Sequence, residues 1–166
     1  VERLEESQKD ISTLLRAYAM IDVAQDLVVV GKGADEQKLK NLAGELGISD
    51  RVRFAGFQSN PYKWMRHADL LVHSAKFEGF PTTLVEALAI GTQIVATDCP
   101  TGPREILDDG KAGRLVPVGD AQAMASAISE ALKQGADAEQ AHHAQAHSKR
   151  YTQEVIKPQL ETMMKG

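Results

Sequence analysis

The chain has 166 residues, of which 43% are hydrophobic and 25% charged, a balance typical of one globular domain that excludes extensive disorder. A net charge of −4 with 5% aromatic residues disfavours nucleic acid as a partner, because a basic surface and stacking rings are both lacking. The single cysteine, Cys99, excludes an internal disulfide framework, and neither a membrane span nor a signal peptide is evident. We therefore expect a cytoplasmic protein, with peripheral association at the inner face of a membrane left open.

Short apolar runs alternate with segments of helical spacing, which is the pattern of a parallel α/β fold. Apolar residues at helical spacing predict crossover helices over Ile11 to Tyr18 and over Leu39 to Leu46. Six nearly continuous runs are predicted as strands buried on both faces: Val1 to Leu4, Asp26 to Val30, Arg51 to Ala55, Asp69 to His73, Gln93 to Ala96 and Gly113 to Val116.

Helix ends carry their usual residue types. Gly47 is expected to cap the helix that ends near Leu46, and Asp35 and Asp120 are expected to begin helices. Between the predicted strands, Tyr62 and Trp64 are expected to anchor a short helix on the sheet.

From Asp120 onward the sequence predicts consecutive helices without an intervening strand. The stretch rich in Ala, Gln and His, residues 136–146, predicts a solvated helix, and the same solvated state is expected for His143 and His147, since a zinc site needs a third ligand. We expect one domain over 1–166, with a core over 1–150 and a C-terminal helix over 151–166 that Pro158 starts or kinks.

The segment Glu78 to Leu88 follows the fourth predicted strand and continues into a helix. Pro81 fits the first helical position, so three backbone amides of the first turn are expected to be free donors: Thr82, Thr83 and Leu84. Free amides and the helix dipole together favour a phosphate at this end of the helix.

Two carboxylates flank this predicted phosphate site. Glu86 lies in the second helical turn and would lean back toward a ribose diol, while Glu78 would face the group beyond the phosphate. The alternative is a surface helix residue for Glu86 and a solvated loop charge for Glu78. His73 fits a sugar contact or a packed side chain equally well.

Ordered blocks of the chain resemble the group 1 (family 4) retaining glycosyltransferases, specifically the C-terminal, nucleotide-sugar-binding domain of the GT-B fold. The resemblance covers nearly the whole chain. The blocks are Val1 to Leu4 with Lys9, Val30 to Gly33, Val52 to Gly56, Ala68 to Ser74, Glu78 to Glu86, Ile94 to Asp98, Gly102 to Ile106 and Gly113 to Pro117.

The resemblance implies a Rossmann-like three-layer sandwich with a roughly six-stranded parallel sheet. It also implies transfer of a sugar from a nucleoside diphosphate sugar, of UDP or GDP type, to a glycan or lipid-linked glycan. The N-terminal domain that holds the acceptor is expected to be absent from this chain. Neither a cofactor nor a metal is implied.

The resemblance also implies roles for individual residues. Arg3 and Lys9 match the basic pair that neutralises the donor diphosphate, and Glu78 matches the residue beside the reacting carbon. Glu86 matches the ribose-binding glutamate. The remaining substrate-binding positions are the amides of the first helical turn given above, a nucleotide-facing turn and the edge of the base pocket: Thr82, Thr83, Leu84, Gly31, Gly33, Arg53 and Gly56.

Three features depart from the family pattern. Glu2 replaces the usual glycine and would repel a diphosphate unless it points away. The spacing from Arg3 to Lys9 is one residue longer than expected. The turn from Cys99 to Pro103 replaces a Gly-Gly turn, and it exposes Arg104 either to ligand or to water, while Cys99 is expected to be a buried, unreactive thiol.

Two rival functions remain open at this point. One is a non-catalytic module that keeps the fold and binds a nucleotide sugar or a partner, which Glu2 favours. The other is a different GT-B-type enzyme, such as a sugar epimerase or a phosphorylase.

Overall fold

The computed structural model describes residues 2–135, 137–152 and 154, with the backbone alone for Glu2 and Arg3. Within these residues the sheet pairings are all parallel, as predicted. All six predicted strands are present: β1 (Glu2–Arg3), β2 (Leu27–Lys32), β3 (Val52–Gly56), β4 (Leu71–His73), β5 (Ile94–Thr97) and β6 (Arg114–Val116).

The six strands form two hydrogen-bonded sheets, in the orders β1-β2-β3 and β4-β5-β6, where a single sheet was expected. The described part of β1 is two residues long and pairs only with the end of β2, with Glu2 opposite Gly31 and Arg3 opposite Lys32. So short a strand leaves the two sheets without a ladder between them in the described part of the chain.

Helices connect successive strands and cover the sheets. Their bounds are α1 (Glu6–Lys9), α2 (Ile11–Ala19), α3 (Glu36–Glu45), α4 (Tyr62–His67), α5 (Thr82–Ile90), α6 (Pro103–Ile106), α7 (Ala121–Gln134) and α8 (Ala138–Ser148). Three short 3-10 turns are also described, over Ser49–Arg51, Asp108–Gly110 and Lys149–Tyr151.

The predicted helix ends are confirmed where the local chemistry is strongest. The Asp120 carboxylate accepts from the Ala123 amide at 2.8 Å and so caps α7. After α3, Gly47 takes the left-handed conformation (φ 69°), and the Ile48 amide returns to the Ala43 carbonyl at 3.0 Å.

Two expectations about helices are wrong. Tyr62 and Trp64 do not anchor α4, because they are 50% and 40% exposed, whereas Met65 of the same helix is buried. The helix predicted to be solvated, α8, instead packs against α5 and places Ala144 in the core. The alanines of α8 are small enough for this close contact, which a composition rich in Gln and His conceals.

The predicted C-terminal helix over 151–166, with Pro158, falls almost wholly outside the described residues. In the part of the chain that the structure describes, no helix combines the length and the apolar character needed to cross a bilayer.

Candidate functional site

The carboxyl ends of the parallel strands bring several predicted residues to one region. Parallel strands end at the same edge of a sheet, and ligands of open α/β sheets bind there. β1 ends at Arg3, β2 at Lys32 and β4 at His73, and the loop after β4 carries Glu78.

Glu78 is the centre of this region. The Lys9 ammonium lies 2.5 Å from Glu78 Oε1, and His73 Nε2 lies 3.2 Å from the same oxygen. The Gln8 amide donates to Oε2 at 3.2 Å. Since a carboxylate only accepts, His73 Nε2 must carry the hydrogen of its bond. The Glu78 side chain is 8% exposed, so its carboxylate is a largely buried, partnered charge and not a solvated one.

These partners set the charge of Glu78. Burial raises the pKa of the Glu78 carboxyl, but hydrogen bonds from His73 and Lys9, with the positive charge of Lys9, bring the pKa below its ordinary value. The carboxylate is therefore ionised at neutral pH, with its oxygens held in fixed directions.

Lys9 reaches Glu78 because α1 is fixed at several points. The Asp35 carboxylate accepts from the Glu6 amide at 2.9 Å, at the start of α1. The Ser74 hydroxyl donates to the Lys9 carbonyl at 2.8 Å, next to β4. α1 ends at Lys9 and is followed by Asp10 in the left-handed conformation (φ 48°). The stretch after Arg3 therefore contains a short helix that is separate from α2.

The first turn of α5 corrects the prediction of three free amides. α5 begins at Thr82, and Pro81 precedes it with ψ 86° instead of occupying the first helical position. The Thr82 amide donates to the Phe80 carbonyl at 2.9 Å, and the Leu84 amide to the Pro81 carbonyl at 3.0 Å. A tight turn before the helix uses these donors, and of the three only the Thr83 amide has no backbone acceptor in the described part of the chain.

Glu86 lies half-buried in α5, and the Tyr62 hydroxyl of α4 donates to its Oε1 at 3.4 Å. This contact holds the carboxylate near the start of α4. A diol can replace the single phenol hydroxyl, because a carboxylate accepts several hydrogen bonds.

The glycines predicted at the nucleotide-facing turn, Gly31 and Gly33, and at the edge of the base pocket, Gly56, each have a separate structural reason. Gly31 has φ 144°, which disfavours other residues. A Cβ on Gly33 would lie 2.0 Å from the Leu4 carbonyl oxygen, so this glycine is required by the close passage of two backbones. Gly56, with φ 65°, ends β3 beside the Lys32 side chain.

Arg53 is not at this edge. It is the second residue of β3 and forms an ion pair with Asp26, the residue before β2, at 2.8 Å. Both residues lie at the amino ends of their strands, and Gly56 is about 10 Å farther along at the usual rise per residue. The Asp26 carboxylate holds the guanidinium there, at the opposite edge from Glu78 and Lys9.

The turn from Cys99 to Pro103 packs against the Glu78 loop. The Thr101 hydroxyl donates to the Glu78 carbonyl. A Cβ on Gly102, at φ 96°, would lie 2.5 Å from Pro81 Cδ. The turn therefore supports the loop directly, and Thr101 is a site residue that its sequence context did not single out.

Two side chains near this turn are not available as open ligand groups. Arg104 forms ion pairs with Asp98 and, at 3.7 Å, with Asp109. Cys99 is buried as expected, and burial, followed by the nearby Glu78 charge, raises the pKa of its thiol, which keeps it protonated.

The paired histidines of α8 are structural. His143 Nε2 lies 3.0 Å from Asp108 Oδ2, and the buried His147 stacks on His143 and contacts the edge of Tyr151. The expectation of solvation is wrong for His147, because α8 packs inward. Among residues 2–135, 137–152 and 154, no group of three or more His, Cys, Asp or Glu side chains is placed to hold a metal.

Residues 1–150 match the family model described as glycosyl transferases group 1. The chain belongs to this family. The expected resemblance to the group 1 glycosyltransferases is confirmed, and the α/β arrangement of parallel strands is that of part of a GT-B glycosyltransferase.

Curated relatives of this group 1 glycosyltransferase chain include two bacterial enzymes. The Campylobacter jejuni N-acetylgalactosamine-N,N'-diacetylbacillosaminyl-diphospho-undecaprenol 4-alpha-N-acetylgalactosaminyltransferase is 35% identical over 75% of this chain and 34% of that protein. The lipopolysaccharide 1,6-galactosyltransferase of Salmonella typhimurium is 34% identical over 69% of this chain and 33% of that protein. The chain thus spans about a third of the length of these relatives.

A solved structure of Anabaena HepE in complex with UDP-glucose is similar over 99% of this chain and 47% of that one. The TM-score is 0.88 and the sequence identity 28%.

The sequence indicated Glu78, Lys9 and Glu86 as site residues, but not the other residues that contact Glu78 and hold it in place. Gln8 and Thr101 carry no family signal, and each reaches Glu78 from a distant part of the chain, at separations of 70 and 23 residues. Of the two alternatives for His73, a sugar contact or a packed side chain, the structure has the packed side chain, which is 1% exposed and contacts Glu78.

Proposed function

We propose that this chain is the donor-binding domain of a retaining glycosyltransferase that transfers a sugar from a nucleoside diphosphate sugar to an acceptor held by an N-terminal domain. One observation supports this most directly. The chain belongs to the group 1 family, and its largely buried Glu78 carboxylate is paired with Lys9 and His73 next to the helix that carries Glu86.

The basic pair would act on the leaving group. The diphosphate gains negative charge as the glycosidic bond breaks, and a fixed cation stabilises that charge more in the transition state than before it. Lys9 is held close to Glu78, so a diphosphate that approaches it would share the ammonium with this carboxylate. Arg3, at the end of β1, is proposed as the second cation.

The two glutamates would orient the rest of the donor. Glu86 is proposed to accept from both ribose hydroxyls in place of the Tyr62 hydroxyl. Glu78 is proposed to accept from hydroxyls of the transferred sugar beside the reacting carbon. Gly31, Gly33, Gly56 and the first turn of α5, from Thr82 to Leu84, would border the nucleotide.

The acceptor is proposed to be a glycan or a lipid-linked glycan. The Campylobacter relative is named for a diphospho-undecaprenol substrate and the Salmonella relative for lipopolysaccharide. A lipid-linked acceptor would bring the full-length enzyme to the cytoplasmic face of a membrane, with the cytoplasmic donor on the same side.

Titration calorimetry of the chain with UDP, GDP and ADP tests the donor site. We expect measurable but weak binding of UDP or GDP and no transferase activity, since the acceptor side of the cleft would be missing. Glu86→Ala is expected to weaken nucleotide binding at least about tenfold, because charge-assisted hydrogen bonds to the ribose are lost.

Glu45→Ala is the matched control, since Glu45 is an exposed glutamate at the end of α3, and it should bind like the parent. Absence of binding by all three nucleotides, with an intact circular dichroism spectrum, would contradict the proposal. Product identification with the full-length enzyme then separates sugar transfer from epimerisation, and the anomeric configuration of the product tests retention.

A further inference from the structure

The turn after β5 contains a strained residue, Thr101, with φ 62°. A β-branched residue rarely takes a left-handed backbone conformation, because its side chain crowds the main chain there. In the described part of the chain, the other residues besides glycine with positive φ are aspartates, which tolerate this conformation better: Asp10, Asp108 and Asp109. Thr101 is therefore held at a cost in stability that glycine would not carry.

Burial does not account for a threonine at this position. Thr101 is an exposed residue, so no packing in the core requires its side chain. Its hydroxyl faces the carbonyl oxygens of Glu78 and, at 2.7 Å, of the neighbouring Pro100. Only the contact with Glu78 reaches another part of the chain, across 23 residues. The strain is thus found where the turn meets the main chain of Glu78.

α1 holds the same loop from its other side. The Lys76 amide donates to the Gln8 carbonyl at 2.8 Å, and the Gln8 side chain donates to the Phe77 carbonyl at 3.4 Å. Thr101 contacts the next carbonyl along the loop, that of Glu78. Two distant segments therefore fix successive main-chain groups of the loop, and the hydroxyl of Thr101 supplies the contact from the second segment.

The direction of the Glu78 side chain depends on this main chain. Its carboxylate meets Lys9, His73 and Gln8 only while the Cα–Cβ bond of Glu78 keeps its orientation. A group that recognises a ligand has to be held to within about 0.5 Å by the residues behind it. A hydrogen bond to the Glu78 carbonyl limits rotation of the peptide that sets this orientation.

We propose that Thr101 is a positioning residue for Glu78: the chain keeps a strained backbone at Thr101 because its hydroxyl fixes the main chain from which the Glu78 carboxylate reaches the transferred sugar. The sugar contact rests on the proposed function, whereas the restraint on the loop requires no ligand. Strain retained beside a site at the expense of stability is one way in which proteins pre-organise a site.

Three substitutions separate the hydroxyl from the strain. Thr101→Ser keeps the hydroxyl, Thr101→Val removes it but keeps the β-branched shape, and Thr101→Gly removes both the hydroxyl and the strain. We expect the Tm of Thr101→Gly to lie at least about 2 °C above that of Thr101→Val, because relief of strain outweighs the greater freedom of glycine in the unfolded chain.

Hydrogen exchange measured by NMR reports the restraint on the loop without a ligand. The Lys76 amide belongs to the loop, and the Leu71 amide, which donates to the Gln93 carbonyl at 2.8 Å, is the reference in β4. Relative to Leu71, exchange at Lys76 should be at least about threefold faster in Thr101→Val and Thr101→Gly, and unchanged in Thr101→Ser. The more stable of the two variants without a hydroxyl should thus have an equally loosened loop.

Calorimetry with UDP-glucose and UDP tests the consequence for the donor. Thr101→Val and Thr101→Gly should bind UDP-glucose at least about threefold more weakly, with UDP binding unchanged, because UDP carries no sugar for Glu78 to contact. Thr101→Ser should bind both like the parent. If the parent binds neither nucleotide, the proposed function fails, and the exchange experiment still decides whether Thr101 restrains the loop.

Thr92 is the matched control. Its hydroxyl donates to the Met65 carbonyl at 2.9 Å across 27 residues, and its φ is negative. Thr92→Val should leave exchange at Lys76 and binding of UDP-glucose unchanged. Thr92→Gly should be less stable than Thr92→Val, the reverse of the order at Thr101, because Thr92 has no left-handed strain to relieve.

Three results would overturn the proposal. The first is exchange at Lys76 in Thr101→Val equal to that of the parent. The second is a Thr101→Gly variant less stable than Thr101→Val, since the backbone would then not be strained. The third is an equal loss of UDP and UDP-glucose binding, since Thr101 would then not act through the sugar contact of Glu78.

Discussion

At the scale of single residues, Glu78 shows how a charge is kept inside a protein. An unpaired buried carboxylate would be protonated, because removing it from water penalises the ionised form. Here Lys9, His73 and Gln8 all direct hydrogen-bond donors at the carboxylate. Its ionised state therefore contributes to folding as well as to the proposed donor site.

The pH dependence of stability should report this ion pair. The pKa of Glu78 is lower in the folded chain than in the unfolded one, so its ionisation stabilises the fold above the unfolded pKa. That contribution is lost as the pH falls through the folded pKa. In urea unfolding, Glu78→Gln should be clearly less stable than the parent at pH 7, and the difference should shrink toward pH 3.

Glu45→Gln is the matched control for the loss of one carboxylate at an exposed position. It should differ little from the parent at neutral pH. A Glu78→Gln difference that is constant from pH 7 to pH 3 would mean that the charge of Glu78 does not stabilise the fold.

At the scale of single elements, α1 is too short to be stable by its own hydrogen bonds, since it has four residues. Asp35 stabilises it from outside. Asp35 occupies the N-cap position of α3, as predicted, yet its side chain makes no bond to that helix and accepts from the Glu6 amide instead. A residue expected to cap its own helix thus caps α1, which carries Lys9.

Asp35→Ala is expected to lower the free energy of unfolding by about 1 kcal/mol, as the loss of a helix cap usually does. It should also weaken UDP or GDP binding several-fold, because α1 no longer holds Lys9 at the site. Urea unfolding and calorimetry measure the two effects on the same protein.

Asp120→Ala removes a cap of ordinary type, at the start of α7. Its cost in stability should be similar, about 1 kcal/mol, with nucleotide binding unchanged. Equal nucleotide binding by both variants would show that Asp35 has no influence on the site.

At the scale of the whole molecule, helices connect the two sheets, between which the described residues form no strand ladder. One core cluster combines Leu14 and Ala17 of α2 with Val95 of β5 and Met124 of α7. α2 follows β1 in the first sheet, whereas α7 follows β6 in the second. The contact of α2 with α7 is therefore a main connection between the halves.

Met124→Ala should destabilise the whole chain by about 2–5 kcal/mol, because Met124 is fully buried where both halves meet. Met20→Ala is the control, since Met20 is 55% exposed, and its effect should stay within about 0.5 kcal/mol. Denaturant unfolding measures both. A small loss for Met124→Ala would indicate that α2 and α7 contribute little to the connection.

Local patterns predicted the elements of this protein well. Largely apolar runs marked β2 to β6, because strands of a parallel sheet are covered on both faces over much of their length, whereas β1 is described only over Glu2–Arg3. The Asp120 cap and the Gly47 turn were predictable because each depends only on residues within about one helical turn of the chain.

The sequence by itself determined the α/β fold, the family and which glutamates to examine, because apolar periodicity and motif spacing are local properties. Only the tertiary structure decided that Lys9, 69 residues away, meets Glu78, that Arg53 pairs with Asp26 at the opposite edge, and that α8 is packed rather than solvated. Such contacts depend on how distant segments are brought together, and no residue spacing along the chain encodes that distance.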